Sequence, residues 1–171
     1  MRRREAAAPG AVTLALLPAA LAGLGAALPV RGADAPLPAY PLGAASFQAN
    51  CVVCHGPGGA GLPSLAPPLL SYPARYAASP EGRRQLVMTL LYGMIGDIAV
   101  EDKHYDSPMP DFARLDDATL AATLNFVVFD LAHAPADVQP LTAGEIAAER
   151  AHPVEGAAVR AHRRSVLPSG P

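Results

Sequence analysis

Cys51-Val52-Val53-Cys54-His55 concentrates the chemistry of this chain. Two thiols three residues apart sit about one helical turn from each other. Each can add to a vinyl group of the same haem, giving two thioether bonds, and the spacing reads as a covalent haem attachment site. The histidine that follows directly lies under the porphyrin and can donate an imidazole nitrogen to the iron. Five residues thus fix a cofactor (one covalent haem c), its orientation and one axial ligand, His55. Other uses of the pair explain less. A structural zinc site takes about four ligands, and the chain has two cysteines in all. A redox Cys-x-x-Cys belongs near a βαβ pattern, which the sequence lacks. A plain disulfide has no need of the adjacent histidine.

The iron then has a sixth position to fill, and Met109 is the candidate. It sits in Ser107-Pro108-Met109-Pro110, where two prolines hold the backbone extended and limit its freedom. Such a segment can present a thioether at low entropic cost. A Met/His pair raises the potential and suits electron transfer. His104 is the chemical rival, in a charged stretch that reads as exposed. Met88 falls in an apolar helical run and reads as core. Met94, in the turn Gly93-Met94-Ile95-Gly96, reads as packing too. His133, His152 and His162 come late in the chain and read as surface residues.

These residues need elements to position them. Gly43 to Cys54 reads as a short helix ending in the attachment residues, followed by a loop rich in glycine and proline through Pro68. Ser79-Pro80-Glu81 starts a second helix, with an N-cap serine, proline at N1 and an acid in the first turn; it runs to about Tyr92. Gly93 to Leu115 reads as irregular. The strongest helix spans Asp116 to about Ala132. Asp116 caps it, and Leu120, Leu124, Val127 and Leu131 form one apolar stripe. Thr142-x-x-Glu145 is a capping box opening a short helix to about Arg150, and a further short helix covers Glu155 to Val166.

Composition bounds the rest. The 171 residues include 15 glycines, 19 prolines and no tryptophan, so helices should be short and the core small. A buried haem would supply apolar surface, which couples folding to haem attachment. Residues 1–35 read as an export signal: Arg2, Arg3 and Arg4, an apolar run from Ala11 to Val30, and an Ala33-Asp34-Ala35 cleavage site. The alternative is a retained membrane anchor, since about 20 apolar residues can span a bilayer. Without that basic segment the remainder is more acidic than the whole chain's −2. Asp97, Glu101, Asp102, Asp106, Asp111, Asp116 and Asp117 crowd one stretch. That balance argues against nucleic acid. It suggests either a face for a basic partner or a solvated loop surface.

In this order the residues resemble the monohaem class I c-type cytochromes, above all bacterial periplasmic carriers and dehydrogenase-associated haem modules. The resemblance covers about residues 40–132. It rests on Gly43-x-x-x-Phe47, on Cys51–Gly56 with Ala66-Pro67-Pro68-Leu69 after it, on Met109-Pro110-x-Phe112, and on Leu115-Asp-Asp with the helix carrying Phe126. The resemblance implies an all-α fold wrapped around one haem, with Gly43 and Phe47 where two helices cross. It implies that the Pro67 carbonyl accepts Nδ1–H of His55, and that Leu69, Ile98 and Phe112 line the haem pocket. The domain organisation that follows is 1–35 signal, 36–135 cytochrome domain and 136–171 a helical extension outside the minimal fold.

The function expected is a periplasmic one-electron carrier working between redox partner proteins, such as a dehydrogenase and a terminal oxidase. An alternative is a haem subunit of a larger periplasmic oxidoreductase, with the extension and acidic stretch as its interface. A third is a gas- or peroxide-reacting haem protein, which requires Met109 not to bind. No acid–base pair or nucleophile marks an enzyme.

Overall fold

The structure is a computed structural model that describes residues 37–166. The segment read as an export signal, residues 1–35, lies outside the described residues. Helix α1 (Pro41–Asn50) begins with proline in its first turn. The amides of Ala39 and Tyr40 ahead of it donate to the Asp130 carboxylate at 2.8 and 3.1 Å. The helix does not run unbroken to Cys54. It stops at Asn50, and a separate turn, α2 (Val52–His55), follows, with Cys51 as its N-cap and Cys54 and His55 within it. Then come a 3-10 turn (Pro57–Gly59), α3 (Tyr72–Ala77) and α4 (Pro80–Tyr92). Ser79 caps α4, accepting from Gly82 N at 3.1 Å.

Residues 93–115 are not wholly irregular. Strands β1 (Ile98–Val100) and β2 (Lys103–Tyr105) pair antiparallel, with Ile98 opposite Tyr105 and Val100 opposite Lys103. The fold is mostly helical, with this small hairpin added to the all-α expectation. Helix α5 (Asp117–Asn125) is capped by Asp116, whose carboxylate accepts from Thr119 N at 2.7 Å. It widens into a π-helical turn over Phe126–Leu131. Helices α6 (Ala143–Arg150) and α7 (Gly156–Val166) follow, and α6 opens with the complete capping box of Thr142 and Glu145.

Two crossings organise these elements. α1 crosses α5 at Gly43, where a Cβ would collide with the Ala122 carbonyl oxygen. Phe47 packs on Phe126 beside it, ring centroids 5.4 Å apart. The second crossing sets α4 against α5, α6 and α7. Leu91, Leu120, Val128 and Ile146 are fully buried there, joined by Val87, Leu124 and Leu141.

Residues beyond Pro135 belong to this core. Leu141, Ile146 and Val159 are 3%, 0% and 0% exposed. The buried side chain of Asn125 donates to the Leu141 carbonyl at 2.9 Å and accepts from Leu141 N at 2.7 Å, pinning the incoming chain to α5. Arg83 of α4 pairs with Glu145 through two nitrogens, at 2.7 and 2.9 Å, and also donates to the carbonyls of Gln139 and Pro140. A fork–fork pair of this kind fixes orientation as well as charge. The hydrogen bonds of Arg83 hold Glu145 below the usual carboxylate range.

Candidate functional site

α2 and the loop after it form one wall of a deep cleft of about 1420 Å³, counting the part open to solvent. Cys51, Cys54 and His55 all line it. The two cysteines are not joined in a disulfide. Burial, with Cys54 adding to it, pushes the Cys51 thiol up to about 11, so it keeps its proton at neutral pH. His55 is 8% exposed. Its Nδ1 lies 2.9 Å from the Pro67 carbonyl oxygen. That carbonyl can only accept, so Nδ1 carries the proton and Nε2 keeps its lone pair. Burial holds the imidazole below its ordinary range, with the Pro67 bond acting the other way. A neutral imidazole with a free Nε2 is what a metal ligand requires.

The loop that supplies the carbonyl is folded by its own backbone. Gly61 N donates to His55 O at 2.7 Å, and Leu69 N donates to Gly59 O at 2.8 Å. Leu62 and Ala66 form an antiparallel bridge. These bonds turn the chain back over α2 and place Pro67 beside His55.

The opposite wall is built by α3, α4, the hairpin and the segment around Met109. Leu86 and Leu90, half-buried on α4, face the cleft while Val87 and Leu91 of the same helix face the core. Met109 lines the cleft and is fixed by more than its prolines. It exchanges two backbone hydrogen bonds with Met94, at 3.0 and 2.9 Å. Gly93, at φ 67°, lets that pairing close, because a Cβ there would collide with the Met109 carbonyl. Phe112 N then donates to Leu90 O at 2.8 Å, tying the segment to α4.

Every residue singled out in the sequence for the haem lines this one cleft: Cys51, Cys54, His55, Pro67, Leu69, Ile98, Phe112 and Met109. Met94, read as packing, lines it too. His104 does not. Its side chain is 72% exposed and bonds the Asp97 carboxylate at 2.9 Å. His162 is not a surface residue: it is half-buried, with Nδ1 2.7 Å from Gln85 Oε1. The acidic stretch is in part structural, since Asp97 holds His104, Asp116 caps α5 and Asp117 pairs with Arg150 at 2.8 Å.

Sequence reasoning missed Tyr76, Gln85 and Arg163, which line the cleft and are all buried. Arg163 left a signal. Gly156, Val159 and Arg163 are the buried positions of α7, so a cation lies on that helix's apolar stripe. Apolar walls, a pair of thiols one turn apart, an oriented neutral imidazole and a buried hydroxyl without a partner, Tyr76 Oη, together fit a haem. When bound, that group supplies one-electron chemistry at its iron.

The cytochrome c family matches residues 41–128. Two cytochrome c-552 proteins are similar to the chain, each 35% identical over 124 residues. One, from Thermus thermophilus, aligns over 71% of this chain and 95% of its own length. The other, from a named strain of the same species, aligns over 71% of this chain and 84% of its own. The family match runs from the first residue of α1 into the π-helical turn after α5, and so spans both the attachment residues and the Met109 segment. The chain belongs to the cytochrome c family and is an electron-carrying protein with a covalent haem c.

Proposed function

We propose that this cytochrome is an exported one-electron carrier in which His55 and Met109 would be the two protein ligands of the haem iron. The observation that carries the proposal is that one cleft is lined both by His55, oriented through Pro67, and by Met109, held by its bridge to Met94. Two such ligands leave no open position for a substrate, and they raise the potential. The protein's own work is to tune that potential and to offer a haem edge to partners. Val53 and Leu65 line the cleft and stay exposed, at 73% and 40%, which suits a dry contact with a redox partner protein. The inner faces of α6 and α7 are occupied by their own chain. This favours a free carrier over a subunit docked through those faces.

The oxidised protein should show the weak far-red charge-transfer band of a sulfur–iron bond. Met109→Ala should abolish the band, lower the potential and let carbon monoxide bind the reduced form readily. Met94→Leu and His104→Ala should leave the band in place. A wild-type protein that lacks the band and binds carbon monoxide overturns the ligand assignment and favours a gas- or peroxide-reacting haem protein. Export is supported by Arg2–Arg4, the apolar run and Ala33-Asp34-Ala35. Intact-mass measurement of the mature holoprotein should find it beginning at Pro36; a mass that includes residues 1–35 would instead mark a retained anchor.

A further inference from the structure

The segment that pairs with Met109 is gripped on its other side by α7, which lies beyond the stretch that matches the family. The backbone of Met94 faces Met109 and exchanges two hydrogen bonds with it. The next amide faces the other way: Ile95 N donates to the carbonyl of Gly156, the first residue of α7, at 3.3 Å. Further along, Arg160 Nη1 donates to the Asp97 carbonyl at 3.4 Å and Arg163 Nη2 to the Ala99 carbonyl at 3.0 Å. Residues 156, 160 and 163 share one face of the helix, and they meet the chain at 95, 97 and 99. The contacts have no slack. A Cβ on Gly96 would fall 2.9 Å from Arg160 Nε, and a Cβ on Gly156 would fall 3.0 Å from Ile95 Cγ1. Gly96 also sits at φ 98°, where a side chain is strained.

Arg160 has no carboxylate partner among the described residues, and its Nε is buried without an acceptor. It therefore meets the protein through the backbone it lies against. Val159, between the gripping residues, is 0% exposed, and α7 packs on α4, so the grip is fixed to the core. We propose that Gly156 and Arg160 are positioning residues for Met109: by holding residues 95–97 they set how readily an outside ligand displaces its thioether from the iron. Displacement requires the Met109 segment to open. The opening must either break its bridge to Met94 or carry Met94 with it and break the contacts to α7. The inference rests on the reading of Met109 as an iron ligand. Neither Gly156 nor Arg160 lines the cleft, whereas Arg163 does, so the first two can be altered without touching the cofactor's walls.

The test is displacement by imidazole in the oxidised holoprotein, followed through loss of the far-red band and by stopped flow. At saturating imidazole the rate reads the opening of the Met109 segment. Arg160→Ala should tighten imidazole binding and raise that limiting rate by roughly three- to tenfold, the effect of losing a modest hydrogen bond and its packing. Gly156→Ala, which presses a methyl group on Ile95, should act in the same direction. Arg164→Ala, at an exposed position of the same helix, should change neither quantity. If Arg160→Ala does not accumulate as holoprotein, Arg160→Leu, which keeps an apolar stem, replaces it. A merely structural α7 would lower the thermal midpoint of the variants and leave imidazole affinity and limiting rate as in the wild type; that result overturns the proposal. A wild type without the band overturns the Met109 assignment and this inference with it, while a normal band with unchanged displacement in the variants overturns this inference alone.

Discussion

Asn125 shows how one polar side chain can decide where a chain goes. It is buried, and its amide meets both the N–H and the C=O of Leu141. Replacing it with alanine leaves both backbone groups buried and unpaired, a penalty of about 1–3 kcal/mol for each unsatisfied group. Asn125→Ala should therefore lower the unfolding midpoint of the holoprotein in a thermal melt followed by far-UV circular dichroism. That Cys51, Cys54, His55 and Met109 belong to one site was legible in the sequence because spacing and flanking prolines marked them, and all four line the same cleft. Asn125, Tyr76 and Gln85 were not, because an uncharged polar residue on a helix carries no mark of whether it will be buried. Its partners lie 16 residues away in the case of Asn125 and 77 in the case of Gln85.

Among elements, the helices with capping residues could be read directly: Ser79, Asp116 and Thr142 each accept the hydrogen bond their type suggests. The six-residue α3 could not. It is shorter than two turns and carries proline near its start, so it shows no periodicity to detect. The hairpin was hidden for a related reason. Its strands are three residues long, and its turn is Glu101-Asp102, with Glu101 at φ 54°, where an Asn-Gly pair would have signalled it. The division of the first helix at Cys51 also left no trace in composition. What the pattern did show, through Gly43 and Phe47, was the crossing of α1 and α5. That crossing has no room for a methyl group. Gly43→Ala should force the helices apart and cost about 3 kcal/mol, measurable as a lower denaturant midpoint with an unchanged visible spectrum if the haem environment survives. An unaltered midpoint would mean that α1 shifts freely.

For the molecule as a whole, the open cleft is the main fact. Cys51, Leu86, Leu90, Ile98 and Met109 present apolar surface to this cleft from both of its walls. A small domain has little core to spare, so the cofactor must complete the packing. The doubly substituted chain Cys51→Ala/Cys54→Ala should lose most of its near-UV circular dichroism and bind a hydrophobic dye, while keeping part of its helical far-UV signal, the marks of lost side-chain packing. A native-like near-UV spectrum in that variant would show that the helices close without the haem. The packing does not stop near Pro135, where the sequence suggested a boundary, because a tail that is polar in composition needs few apolar residues to dock. Three of them, Leu141, Ile146 and Val159, are buried, alongside the polar ties of Asn125 to Leu141 and Arg83 to Glu145.

The contact between His55 and Pro67 has a consequence for how the protein tolerates mutation. The acceptor is a backbone carbonyl, and any residue placed at position 67 would still carry one. The bond is therefore insensitive to side-chain identity at its acceptor and sensitive to chain length. An insertion or deletion between Gly59 and Leu69, whose backbones are clipped together, would move the oxygen out of reach. Among homologous sequences, the count of residues across this loop should vary less than the residues themselves.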